Sequence, residues 1–256
     1  MLAIERRNEI LEKLQADRRV VVSELSQIYD VSEETIRRDL DKLAVDGFAI
    51  KSYGGAVIND NTNTELPFNI RKKQQIAEKQ KIAHLISDMI QDGESVMLDG
   101  SSTAIHVAKA LKDKDKKNLK IITNSVEIII DLIDTPGWEI IATGGIAIAG
   151  SYALVGPLTD KMLRSYRVNT AVISCRGMEF GIGFTESDEL HANNKKTMLE
   201  SANEKIMAID SSKFDKSAFT IIGRISDVTK IVTDEKPNDK WLKAFEEAAV
   251  ECIYPR

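Results

Sequence analysis

Apolar positions recur at helical spacing in the first part of the chain. Ile4, Ile10, Leu11 and Leu14 fall on one face of a helix. "DRRVVV" reads as a short extended link. In "SELSQIYD", Ser23 is a candidate N-cap, and Leu25 and Ile28 lie three apart. A third helix opens at Ser32 in "VSEETIRRDL". Its apolar stripe is Ile36, Leu40 and Leu43, spaced four and three, and Gly47 ends it. "FAIKSYGGAVI" predicts two short strands about Gly54 and Gly55, a hairpin signal. From Asn59 to Asn69 the chain is polar and contains Pro67, a linker composition. Ile76, Ile82, Leu85, Ile86, Met89 and Ile90 then predict a long amphipathic helix. The short apolar runs "SVML", "LKIIT", "WEIIAT", "TAVIS", "EKIMAID" and "FTIIG" follow, several of them separated by helical patterns. That alternation predicts an α/β fold with a largely parallel sheet covered on both faces. The expected division is a helical unit over 1–58, a linker over 59–74 and an α/β domain over 75–256.

Composition narrows the class. The chain has 256 residues, room for one or two domains. Its 43% hydrophobic and 29% charged residues suit a globular protein with a sizeable core. No run of about 18 apolar residues exists, so no membrane span is expected. "MLAIERRNEI" carries charges where a signal peptide needs an apolar core, so a cytoplasmic setting is expected. Cys175 and Cys252 make neither a disulfide framework nor a zinc site. His84, His106 and His191 show no triad or metal spacing, and neither a phosphate loop nor a dinucleotide fingerprint occurs. No metal, cofactor or catalytic residue is therefore assigned.

With the apolar stripe of the third helix turned inward, Glu33, Glu34, Arg37, Arg38 and Asp41 face away from the core. Three short helices on tight turns, followed by a Gly-Gly hairpin, make a winged helix-turn-helix pattern. In such a unit the N-terminal half of the later helix meets base edges in the major groove. Arginine forks suit guanine O6/N7 or phosphate, and Lys51, Ser52 and Tyr53 could rest on the neighbouring backbone. A blander reading competes: Glu33–Arg37 and Glu34–Arg38 at i,i+4 also describe a solvated, ion-paired face. Nor is there a basic footprint. Residues 1–58 hold nine Lys plus Arg against eleven Asp plus Glu, a net of −2, and the whole chain carries −5. Any DNA affinity must come from local placement of Arg6, Arg7, Arg18, Arg19, Arg37, Arg38 and Lys51.

In the second region four candidate strands end in small polar loops: "DGSST" (Asp99 to Thr103), "TNS" (Thr123 to Ser125), "TGG" (Thr143 to Gly145) and "DSSK" (Asp210 to Lys213). Ligands of open parallel sheets bind outside the carboxyl ends of the strands. Ser101 and Ser102 would open a helix whose free N–H groups favour an anion. Gly144 and Gly145 admit close backbone approach, Lys213 brings a positive charge, and Asp99 and Asp210 accept from hydroxyls. That inventory suits a small phosphorylated polyol. Taken singly, each loop is equally a set of caps and turns.

The stretch from Arg6 to Val57 resembles the DNA-binding signature of DeoR-type bacterial transcription regulators. Its blocks are a leading arginine-rich helix, "VVVSEL", "VSEETIRRDLDKL" and the closing "YGGA", where Tyr53 replaces the usual histidine. The resemblance implies DNA contacts from Ser32, Glu34, Thr35, Arg37, Arg38, Lys51 and Tyr53. "ELPFNIRKK", "EKQKIA", "MLDGSST", "ITNS", "ATGG", "VGP", "GFTESDE", "NKKTML" and "DSSKF" resemble the effector domain of the same regulators. The implied fold is a doubly wound α/β domain like that of sugar-phosphate isomerases and CoA-transferases. The implied effector is a phosphorylated sugar held by Asp99, Ser101, Ser102, Thr123, Asn124, Gly144, Gly145, Asp210 and Lys213. Lys195 is a weaker candidate, since a helical lysine is usually solvated, and Glu179 departs from the family pattern. The resemblance implies a homodimeric or homotetrameric repressor of a sugar-catabolism operon, bound to double-stranded operator DNA and not to a membrane. The alternative is an isomerase fused to a DNA-binding unit, with Asp99, Glu186, Asp188, Glu189 and Asp210 as possible bases. A partner-binding scaffold is a third class, disfavoured by "TIRRDL".

Overall fold

The computed structural model describes residues 1–59, 67–148 and 150–255. The chain divides into two compact units, Met1–Lys73 and Gln74–Arg256.

The first unit opens with helix α1 (Ala3–Asp17), which buries Ile10, Leu11 and Leu14. Ile4, expected on that face, is exposed, and the buried place in the first turn belongs to Arg6. Strand β1 (Arg19–Val21) leads into α2 (Val22–Tyr29), which buries Leu25 and leaves Ile28 outside. Helix α2 begins before Ser23, with Val21 at the N-cap, so Ser23 does not cap it. Asp30, in the left-handed region at φ 49°, turns the chain toward α3 (Glu33–Val45). Ser32 caps α3, its hydroxyl accepting from the Thr35 N–H at 3.2 Å. Ile36, Leu40 and Leu43 enter the core as their spacing requires. Strands β2 (Ala49–Ser52) and β3 (Gly55–Ile58) form the hairpin, and β3 also pairs with β1. Gly54 turns at φ +75°, while a Cβ on Gly55 would collide with the Val20 carbonyl.

Residues 60–66 of the expected linker lie outside the described residues. Its last part is not irregular chain: Phe68–Lys73 forms a further helix, α4. Ile70 joins the first unit's apolar cluster, and that burial outweighs the polar composition around it.

The second unit runs, in order, α5 (Ile76–Met89), β4 (Ser95–Leu98), α6 (Ser102–Asp113), β5 (Lys120–Thr123), α7 (Val126–Leu132) and β6 (Glu139–Ala142). Next come β7 (Ile146–Ala147), β8 (Leu154–Val155), α8 (Pro157–Arg164), β9 (Val168–Ile173), β10 (Gly177–Glu179), β11 (Gly183–Glu186) and α9 (Glu189–Glu200). The unit closes with β12 (Ala202–Ala208), β13 (Thr220–Gly223), β14 (Lys230–Val232), α10 (Asp239–Glu247) and β15 (Glu251–Ile253).

Its central sheet is parallel, in the order β15-β14-β12-β9-β4-β5-β6. From β4 the chain steps outward through β5 to β6, and from β9 it steps the other way through β12 and β14 to β15. The fold is therefore doubly wound, with its switch point between β4 and β9. "FTIIG" departs from expectation. It forms β13 in a separate antiparallel sheet, β10-β11-β13. Two parallel strands of the central sheet, Lys230–Val232 and Glu251–Ile253, lie instead outside the six expected runs. Met97, Ala171, Ile173, Met207 and Ile231 build the core with Trp241 and Phe245 of α10. Among the described residues no helix is long and apolar enough to cross a membrane.

Candidate functional site

Helix α3 shows two faces. Ile36, Leu40 and Leu43 fix one face to the core, and the other presents Glu33, Glu34, Arg37 and Arg38 to solvent. Arg37 bonds Glu33 at 2.5 Å and Arg38 reaches Glu34 at 3.3 Å, both one turn back. These are exposed pairs, weak enough for a guanidinium to exchange its partner. Thr35 shares a hydroxyl contact with the capping Ser32 at 2.9 Å, so both sit in the helix's first turn. On the hairpin Tyr53 is wholly exposed, and Lys51 is ion-paired to Asp41 of α3, tying wing to helix. Arg6 stands differently from its expected role as a surface charge. It is buried, with Nε 2.6 Å from the Asp39 carboxylate, and cannot reach a phosphate from there. Arg7 is part-buried and touches the other oxygen of Asp39 at 3.4 Å.

All the central strands run parallel, so their carboxyl ends share one edge of the sheet. Asp99, after β4, lies at the switch point. Its two oxygens accept from the Ser101 N–H and, across to β9, from the Ser174 N–H, each at 3.1 Å. Thr123 is buried and spends its hydroxyl on the Leu98 carbonyl at 2.7 Å while accepting from the Ser125 N–H. Ser101 caps α6, and Asp210 accepts from the N–H and hydroxyl of Ser212. For Thr123, Ser101 and Asp210 the turn-and-cap role is thus real. Ser102 is buried in the first turn of α6. Asn124, after β5, donates to the Leu154 carbonyl at 2.9 Å, but its buried Oδ1 finds no hydrogen-bond partner among the described residues. The buried Thr143 hydroxyl, one strand over, has none among them either. Thr123 pairs with Ala142 and the Thr143 N–H bonds the Thr123 carbonyl, so Asn124 and Thr143 stand at one level. Gly144 has open space where a side chain would be. Gly145 sits at φ +139°, where a Cβ would strike the Thr159 hydroxyl.

A cluster of charged groups lies beside Asp99. Lys195 of α9 is buried, donates to the Ser174 carbonyl at 2.8 Å, pairs closely with Glu186 and lies 3.5 Å from Asp99. Arg176 Nε holds the other oxygen of Glu186 at 2.9 Å, and the Ser187 N–H shares that oxygen. Burial pushes the Glu186 carboxyl up, but Lys195 and Arg176 outweigh it and hold it well below the usual carboxylate range. Burial lowers His191, and Lys195 adds to that. Lys195, Glu186, Lys213 and Asp210 all act electrostatically on the Cys175 thiol, which burial raises to about 12. Lys213 and Asp210 therefore belong to the same neighbourhood as Lys195 and Glu186. Lys195 is expected only as a weaker ligand candidate and Glu186 only as a possible base, while Arg176 is not singled out by the sequence. Helical period would have found the lysine: Ala192, Lys195 and Met198 are three apart and all buried. Among the described residues no group of His, Cys, Asp and Glu is arranged to hold a metal ion.

Comparison with known proteins gives two family matches. Residues 6–62 match the DeoR-like helix-turn-helix domain, and residues 74–235 match the DeoR C terminal sensor domain. The chain is 37% identical over 251 residues to the uncharacterized HTH-type transcriptional regulator YulB of Bacillus subtilis, covering 98% of this chain and 96% of that protein. It is 33% identical to an L-fucose operon activator of Haemophilus influenzae, covering 95% and 97%. It is 31% identical to the HTH-type transcriptional repressor CsqR of Escherichia coli, covering 92% and 89%. Among solved structures, a ribose 5-phosphate isomerase A from Methanocaldococcus jannaschii aligns over 53% of each chain at 18% identity, with a TM-score of 0.38.

Proposed function

This chain belongs to the DeoR family of transcriptional regulators, and from that premise we propose that it reads an operator with α3 and that a phosphorylated sugar at the carboxyl edge of the central sheet sets its affinity for DNA. Ser32, Glu34, Thr35, Arg37 and Arg38 meet the major groove, and Lys51 and Tyr53 of the wing lie on the backbone. Asp99, Ser101, Ser102, Thr123, Asn124, Gly144, Gly145, Asp210 and Lys213 surround the effector. The observation that carries the effector reading is the pair Asn124 and Thr143. Buried polar atoms without partners cost free energy, and a ligand hydroxyl at each would supply what the fold leaves unmet. The open space at Gly144 gives that ligand room.

Sensing is favoured over isomerisation by the state of the carboxylates. A general base needs a free lone pair near the carbon-bound proton. Of the five possible bases four are engaged: Glu186 by Lys195, Arg176 and Ser187, Asp99 by two N–H groups and Lys195, Asp210 by Ser212, and Asp188 by the His191 N–H. Two half-sites one helical turn apart call for at least two copies of α3, hence a homodimer or homotetramer. A DNA target puts the work in the cytoplasm, with the nucleoid. We take the chain as a repressor of a sugar-catabolism operon, released when the effector binds the free arrangement more tightly than the DNA-bound one. The test is selection of a duplex from a randomised pool, followed by anisotropy titration with and without a panel of phosphorylated sugars. A selected duplex, weakened by one sugar phosphate with no product formed, is the expected result. Failure to enrich any duplex refutes DNA reading, and turnover of the sugar refutes the sensor.

A further inference from the structure

Apolar packing holds α3 to its unit but is non-directional. A slip of one turn would carry Arg37 and Arg38 about 5.4 Å along the groove. Base readout tolerates far less: productive contacts require placement within roughly 0.5 Å. Something directional has to fix the helix along its own axis. Asp39 is the residue next to Arg38, yet it points the other way and is buried. Its Oδ2 receives Arg6 Nε at 2.6 Å and its Oδ1 receives Arg7 Nη1 at 3.4 Å. Both oxygens of one carboxylate are thus spoken for by successive residues of α1, 33 and 32 positions away in the chain. The side chains of Arg6 and Asp39 retain only 9% and 5% of their exposure, so solvent does not loosen the contact.

We propose that Arg6 and Asp39 are positioning residues for DNA reading: their buried pair pins α3 in one register against α1, so that Arg37 and Arg38 meet the bases they read. The inference rests on the assignment of α3 as the recognition helix. Replacing a buried ion pair by apolar residues of similar size is often neutral or stabilising, whereas breaking it is costly. That asymmetry separates positioning from plain stability. Asp39→Asn keeps the shape and removes the charge. The double variant Arg6→Met with Asp39→Leu keeps an apolar contact and removes the direction.

The experiment measures thermal unfolding and hydrogen exchange of α3 in the intact chain. It then measures affinity for the selected operator and for an unrelated duplex, well below the melting temperature. The expected result for the double variant is a helix as protected as in the wild type, with operator affinity down by about tenfold or more, the size of a lost base contact. Its affinity for the unrelated duplex should stay within about twofold, because non-specific binding rests on phosphate contacts, which carry no sequence information. Asp39→Asn should lose operator affinity likewise wherever α3 stays protected. A double variant that recovers both stability and operator affinity overturns the proposal, as does an Asp39→Asn protein that still discriminates like the wild type. If the wild type itself selects no duplex, the recognition-helix reading fails instead, and the two failures are distinct.

Discussion

Replacing Lys195 by methionine keeps the length of the side chain and deletes its charge. Lys195 retains 9% of its side-chain exposure, Glu186 3% and Asp99 1%, so the interaction is desolvated. Removing one member of a buried ion cluster costs about 3–5 kcal/mol. The lower end applies here, because Glu186 keeps Arg176 and Ser187 while Asp99 keeps two N–H donors. A unit of this size loses roughly 2–4 °C of melting temperature per kcal/mol, so about 6–12 °C is expected at pH 7. Both tryptophans, Trp138 and Trp241, lie in Gln74–Arg256, so fluorescence reads that unit alone. A second signature comes from pH. Folding lowers the Glu186 carboxyl, so its contribution is present above the unfolded value near about 4.3 and is lost as pH falls toward the folded one. Loss of Lys195 raises the folded value. The acid limb of the variant should therefore be shallower than that of the wild type, since less stability is left to lose between the unfolded value and the folded one. Melting temperatures within about 2 °C at pH 7, with superimposed acid limbs, would refute the assignment of Lys195 as the counter-charge.

Arg37→Ala and Arg38→Ala should each change unfolding free energy by no more than about 0.5 kcal/mol, since both pairs are exposed. At least one should cost about 1–3 kcal/mol of operator affinity by anisotropy, and unchanged binding in both would remove α3 from the groove. Gly145→Ala puts a Cβ against the Thr159 hydroxyl at φ +139° and should destabilise the second unit by about 1–3 kcal/mol in urea titration. Gly144→Ala meets open space and should stay within about 0.5 kcal/mol, so equal melting of the two variants would contradict the loop's geometry. Asn124→Ala deletes a buried acceptor that has no partner among the described residues and also the donor to the Leu154 carbonyl, so it should cost about 1–3 kcal/mol of apo stability. The thermal shift on adding the effective sugar phosphate should fall by at least half, and an undiminished shift would take Asn124 out of the ligand site.

Local signals sufficed where one element decides its own partner. The stripe Ile36, Leu40 and Leu43 gave α3, Ser32 gave its cap, and Gly54 with Gly55 gave the hairpin. They failed where a distant element decides. "FTIIG" has the apolar, β-branched composition of a central strand, but Phe219 and Ile221 are exposed in an antiparallel edge that pairs with β11. Nothing within those five residues states which sheet they join. Ile4 shares the apolar face of α1 yet is exposed, because periodicity places a face and is silent about where the core ends. Pro67 and its polar neighbours read as linker although Ile70, three residues on, is buried in the first unit's core.

The site divides along the same line. "DGSST", "TNS", "TGG" and "DSSK" were visible because strand ends carry short polar loops, and parallel strands bring such loops to one edge. The weight of Lys195 and the role of Asp39 escape a local reading for reasons that share a cause. A helical lysine is usually solvated, and Asp39 directly follows the two exposed arginines of α3. Each is buried because a partner far along the chain compensates its charge: Glu186 and Asp99 for Lys195, Arg6 and Arg7 for Asp39. A charged residue on the apolar stripe of a helix cannot stay there unpaired. The stripe itself is readable from sequence, so an Asp at the i+3 position from Ile36, or a Lys at i+3 from Ala192, already demands an opposite charge from another element. What sequence withholds is which one, and that is the piece of information on which both the register of α3 and the polarity of the effector crevice depend.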